Sequence, residues 1–180
     1  DEIQMTAFAK GGTCLYGEKD NANLRHLSSI GRVSGLGNFS NNELQKALAG
    51  KQCGVNFSLS VTRSNVSGTT TPKDIETFLQ LVYLNFTAKS KDVKGYDSYI
   101  SQLKIALPGY VLQPEYTFSD SVNNIIYSNN PRYRIINTDD IDQLSYDRCL
   151  EIIKERTANA ANYTFVFVGN YDEATLLPLI

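Results

Sequence analysis

Histidine is nearly absent from this sequence: His26 stands alone in 180 residues, and there is no tryptophan. Imidazole is the usual base and metal ligand at neutral pH, so a chain with one copy is poorly equipped for hydrolytic or metal chemistry by itself. Cysteine is scarce too. Cys14, Cys53 and Cys149 are odd in number and far apart, which argues against a disulfide framework and against a Cys-x-x-Cys metal knuckle; they read as small buried hydrophobes. No apolar run approaches the roughly 20 residues of a membrane span, and Asp1-Glu2-Ile3 has neither the basic nor the apolar region of a signal peptide. The chain does not begin with methionine, and it is expected to be part of a longer polypeptide. An excess of positive charge is also missing. The net charge is -2 and the acids and bases are interspersed, so no basic face is available for a phosphate backbone and nucleic acid is not an expected partner.

What is present fits one globular domain, residues 1–180, with 42% hydrophobic and 20% charged residues. Ile3 to Lys10 alternates and ends at Gly11-Gly12, as a strand closed by a turn does. Leu24, Leu27, Ile30 and Val33 recur every three residues, which predicts a helix from about Asp20 to Val33, stopped by Ser34-Gly35-Leu36-Gly37. Ser40 with Glu43 is a capping-box pattern opening a short helix toward Gly50. Gly54 to Arg63 is the clearest strand: Val55, Phe57, Leu59 and Val61 share one face, while Asn56, Ser58, Ser60 and Thr62 share the other and face water or a partner. Ser64-Asn65 is the expected turn into a second strand from Val66 to Thr70.

Thr71, Pro72, Asp74 and Glu76 supply cap, first-turn proline and first-turn acids for a helix carrying Ile75, Phe78, Leu79, Val82 and Phe86. Further helices are expected from Val93 to Leu107, broken by Pro108-Gly109, and from Glu115 to Tyr127. Ser128 to Asp142 is polar and loop-like and leads to a helix from Ser145 to about Asn159. Tyr163 to Val168, an unbroken apolar run, reads as a strand buried on both faces or central in its sheet. A last helix follows Asp172. Hairpin-like strands, consecutive helices and a late strand predict a two-layer α+β fold.

Local chemistry motifs are weak. Gly11-Gly12-Thr13 opens no phosphate loop, and Gly50-Lys51 is followed by Gln52. Asp139, Asp140 and Asp142 lack the glycine and distal glutamate of a calcium loop and read as a solvated cap before the Ser145 helix. A Cys–His nucleophile pair using His26 has no local support. The sequons at Asn38, Asn56, Asn65, Asn85 and Asn162 follow from a composition rich in Asn, Ser and Thr.

Several segments together carry a likeness: Lys10-Gly11-Gly12-Thr13-Cys14-Leu15-Tyr16, Leu48-Ala49-Gly50-Lys51, Asp74 through Leu84, and Tyr163 through Asp172. They resemble the pitrilysin/insulinase family of zinc metallopeptidases over nearly the whole chain, and among its members the bacterial type with four related domains, of which this is similar to the third. The resemblance implies a mostly antiparallel, mixed sheet covered by helices on one face. It also implies that the catalytic domain carries His-x-x-Glu-His on a helix, with a further glutamate downstream. Laid on this sequence, that helix reads His26-Leu27-Ser28-Ser29-Ile30: the base position is Ser29, the second-histidine position is Ile30, and no glutamate occurs from Thr77 to Pro114. One imidazole without these partners does not make a catalytic zinc site, which takes three protein ligands.

The resemblance therefore implies no catalytic residue and no metal in this chain, with zinc held by the catalytic domain of a parent polypeptide. His26 is read first as a helix-surface residue, then as a relic of the motif or a contact to the catalytic half. The implied partners are that catalytic half, in the same or a companion polypeptide, and a peptide substrate; the periplasm is the compartment of many bacterial relatives. Arg132, Tyr133 and Arg134, with the polar strand face, are candidate substrate contacts. The alternative reading is a structural or assembly scaffold descended from the same peptidase fold.

Overall fold

The computed structural model describes residues 2–180. Four strands form one antiparallel sheet in the order β3-β4-β1-β6: β1 (Ile3–Lys10), β3 (Cys53–Leu59), β4 (Arg63–Thr70) and β6 (Thr164–Gly169). A two-residue ladder joins β2 (Gly35–Leu36) to β5 (Lys89–Ser90). The helices are α1 (Asn21–Val33), α2 (Asn41–Ala47), α3 (Ile75–Thr87), α4 (Val93–Val111), α5 (Pro114–Ile126), α6 (Asp139–Gln143), α7 (Tyr146–Thr157) and α8 (Glu173–Leu176).

Strand alternation decides which sheet face is covered. Ile3, Met5, Ala7 and Ala9 of β1 are all buried, while Gln4, Thr6 and Lys10 are exposed. In register with the buried set stand Val66 of β4 and Phe57 of β3, and onto them pack Leu27 and Ile30 of α1, Phe78 and Val82 of α3, and Ile152 and Ile153 of α7. Gly68 is a packing requirement here, because a Cβ at that position would stand 2.6 Å from the Phe78 ring and 2.2 Å from the Gly54 carbonyl oxygen. The opposite face, with Gln4, Thr6, Ser67 and Asn56 in register, carries no helix of the core cluster. The architecture is the two-layer α+β arrangement expected.

Several elements differ from the expectation. The β3–β4 turn lies at Ser60–Thr62, and β4 begins at Arg63 rather than Val66. The reason is tertiary: Gly11, Thr13 and Cys14 donate backbone hydrogen bonds to the carbonyls of Thr62, Ser60 and Val61, which pulls those residues out of the strand. Asn56 and Ser58 thus remain on the open face, whereas Ser60 and Thr62 belong to the turn. Pro108 does not end its helix; α4 runs to Val111. Lys104, whose carbonyl the proline leaves without an N–H donor, is exposed, so water can take the bond. The run ending at Val168 is neither central nor covered on both sides: β6 is an edge strand, with Phe165 and Phe167 turned inward and Val166 and Val168 turned outward, Val168 63% exposed.

Asp140 is not part of a solvated cap. It is buried and paired with Arg25, and the expected loop contains α6. Of the cysteines only Cys149 is buried, its thiol pushed up to about 12 by burial; Cys53 is half-buried and Cys14 exposed. Asn85, in one sequon, is buried and donates to the Leu81 carbonyl.

Candidate functional site

Helix α1 carries His26, Ser29 and Ile30. Its inward stripe of Leu27 and Ile30 is set by helical spacing against the sheet. Ile30 is 0% exposed, a hydrocarbon in the core. Ser29 is half-buried. His26, expected on the helix surface, is 1% exposed, because α4 crosses above it and brings Tyr99 onto the ring. The Tyr99 hydroxyl stands 2.7 Å from His26 Nδ1, and the rings meet edge-on at 6.1 Å.

The electrostatics keep this ring neutral. Burial pushes the His26 imidazole below its ordinary value of 6.5; Asp140 opposes this and Arg25 adds to it. Burial raises the Tyr99 phenol, so it retains its proton. The other ring nitrogen of His26, Nε2, is buried without a partner. Beside it, Arg25 is ion-paired with Asp140 and donates to the Pro131 carbonyl, and Asp140 also accepts from the Asn137 N–H. Arg25 Nε and the Tyr116 hydroxyl of α5 are likewise buried without partners. Among the described residues, no group of three or more His, Cys, Asp or Glu side chains is arranged to hold a metal ion.

The other candidates fall elsewhere. Arg132 turns back onto the chain and donates to the carbonyls of Thr13 and Tyr16. Tyr133 stacks on Tyr127 with centroids 3.9 Å apart. Arg134 is exposed. None of the three approaches the His26 corner through a hydrogen bond. Tyr99, Arg25 and Asp140, which define that corner, carry no sequence signal, since the first and last are 73 and 114 positions from His26 and only the fold brings them together.

On the other side of α1 a cleft of about 620 Å³ opens between the end of α1, α2, β5 and the free edge of β3. Gly31 and Ser34 from α1, Leu44 and Leu48 from α2, and Val55 and Asn56 from β3 form part of its walls.

The four-stranded antiparallel sheet with helices packed on one face has a pitrilysin/insulinase-like fold. Known structures bear this out. The chain superposes on the periplasmic protease PqqL of Escherichia coli with a TM-score of 0.80 at 20% identity, over 99% of this chain and 20% of that one. It is similar also to a mutant of the ferredoxin protease FusC solved with Arabidopsis ferredoxin, with a TM-score of 0.74 at 13% identity over 99% of this chain and 19% of that one. A protease from Helicobacter pylori gives a TM-score of 0.68 at 13% identity over 99% and 43%. At these identities the likeness is one of fold. The chain spans about a fifth of PqqL and FusC. No family profile matches the sequence, and no curated protein matches it.

Proposed function

We propose that residues 1–180 are one non-catalytic domain of a bacterial, pitrilysin-type zinc endopeptidase, forming wall and substrate contacts of a chamber whose catalytic zinc belongs to another domain. The observation that carries this reading is the His26 corner. In a helix placed as the motif helix would be, the one imidazole is bonded to Tyr99 and sealed from water, the next position one turn on is the core residue Ile30, and Ser29 offers no carboxylate. Such a set does not suit zinc, which takes imidazole, thiolate or carboxylate ligands in three protein positions at catalytic sites. The part left to this chain is to bind and orient a peptide, so that binding energy gained here lowers the barrier to attack elsewhere. Lewis-acid activation of water is the chemistry the metal of the other domain supplies. PqqL is periplasmic, and the periplasm is the compartment proposed for the parent protein.

Elemental analysis of the purified, untagged chain tests the reading, together with an assay on quenched fluorescent peptides. The expected result is zinc well below one per chain and no peptide turnover. Close to one zinc per chain, or turnover that a chelator abolishes, overturns it. The complete reading frame supplies the complementary check: an intact His-x-x-Glu-His in the same or a companion polypeptide is expected.

A further inference from the structure

We propose that the cleft beside β3 binds peptide segments rich in carboxylate side chains. This rests on the reading of the domain as a peptide-contacting wall and adds the class of peptide it takes. The cleft is bordered by three basic residues from three separate parts of the fold: Arg32 near the end of α1, Lys51 after α2 and Lys89 on β5. No aspartate or glutamate borders it, in a chain whose acids outnumber its bases. Among the described residues, Arg32 and Lys89 form no ion pair, and Lys51 donates only to the Thr77 hydroxyl, at 2.7 Å.

Carboxylates on the adjoining segments are already engaged. Glu43 accepts from the Ser40 N–H and hydroxyl, Asp92 from the N–H groups of Asn41 and Gly95, and Asp74 from the Gln52 N–H. Behind β5, Asp147 pairs with Lys91, and Glu151 and Glu155 pair with Arg148. Lys89 also borders a second pocket that Asp147, Glu151 and Glu155 line, but among the described residues none of the three cations of the cleft is ion-paired with a protein anion.

Lys89 makes the arrangement unusual. Its ammonium is largely withdrawn from water, and burial alone pushes it down to about 8. A withdrawn cation without a partner is costly, and an arriving carboxylate offsets that cost with a charge-assisted hydrogen bond. A cleft lined by one sign of charge also concentrates the opposite sign at its mouth. The three cations are spread over different elements, with Leu36, Leu48 and Val55 among them. That layout suits an extended segment with spaced acidic side chains and apolar spacers, and it lacks the single converging cradle of a small-anion site.

The test is fluorescence anisotropy with the whole chain and a fluorescein-labelled peptide of alternating Glu-Glu-Ala steps, against the same peptide with Gln for Glu. The Glu peptide is expected to bind at least about tenfold more tightly, with the difference shrinking as salt rises. Combining Arg32→Gln with Lys89→Met is expected to weaken the Glu peptide by at least about tenfold and leave the Gln peptide unchanged. Lys104→Gln, on the exposed face of α4, is expected to change neither.

A readout independent of affinity comes from reductive ¹³C-methylation of the lysines and NMR titration, in which the Lys89 value is expected to rise from about 8 when the Glu peptide is present. Equal binding of both peptides, no binding of either, displacement of the Glu peptide by inorganic phosphate alone, or undiminished binding by the double variant overturns the inference. Each of these results leaves the zinc and turnover assays untouched, so this inference and the reading of the domain fail separately.

Discussion

Helices α4 and α5 are more apolar in sequence than α7 of the layer on the sheet, yet the two regions reach opposite ends. Helices α3 and α7 bury Phe78, Val82, Ile152 and Ile153 against the strands. Helix α4 buries only Leu107 and α5 buries nothing completely, while Ile105, Leu112, Phe118 and Ile125 each stand more than 70% exposed. Helix α4 is held instead by polar and aromatic contacts: Tyr99 on His26 and Tyr96 stacked on Tyr146 at 4.3 Å. Apolar content therefore does not locate the core; register with the sheet does. The sheet layer is the cooperative unit, and the hairpin is the part expected to open first.

The largest effect should follow from emptying the sheet layer. Phe78→Ala removes a fully buried ring lying over Gly68 and is expected to cost about 3–5 kcal/mol, read as a drop in the urea midpoint at unchanged slope. Arg25→Met comes next. It leaves the Asp140 carboxylate buried with only the Asn137 N–H, at about 3 kcal/mol.

Smaller still is Tyr99→Phe. Loss of the hydroxyl that meets His26 Nδ1 is expected to cost about 1 kcal/mol. Hydrogen exchange should quicken in α4 and α5 and stay unchanged in α7. Burial of the same ring sets a pH dependence. Because burial holds His26 below 6.5 in the folded chain, the unfolded chain takes up the proton first as pH falls. The stability from the neutral ring is thus complete above about 6.5 and is lost as pH drops through the folded-state value. His26→Gln is expected to flatten the stability profile between about pH 7 and 5; a profile as steep as that of the parent chain would mean that other groups carry it.

Much of the sheet layer was legible because its signals are local. The alternation in β1 and β3, the capping box at Ser40 and Glu43 and the stripe on α1 each arise within a few residues. What failed depended on distant partners. The turn at Ser60–Thr62 is positioned by the Gly11–Cys14 backbone, and the apolar run in β6 could not announce that it forms an edge, since composition does not reveal how many neighbours a strand has. The candidate site divides the same way. The position of His26 on its helix and the absence of a partner at Ile30 were readable in one dimension. Its burial was not, because the tyrosine that covers it arrives on α4, and Lys89 was invisible within a polar Ala-Lys-Ser-Lys stretch whose withdrawal from water only the fold creates.

The smallest expected change is the one that most sharpens the contrast. Ile125 is 80% exposed on α5, so truncating it removes little surface that folding takes from water, and Ile125→Ala should alter stability by no more than about 0.5 kcal/mol. Alanine is also the better helix former, by a few tenths of a kcal/mol, so a slight gain is as consistent with this geometry as no change. A loss above about 1 kcal/mol, measured at low protein concentration in the same urea assay, could not come from the exposed position described here and would mean that the hairpin face is covered in solution. Repeating the measurement at higher concentration would then separate cover by a second copy, which makes the loss concentration-dependent, from a rearranged hairpin, which does not.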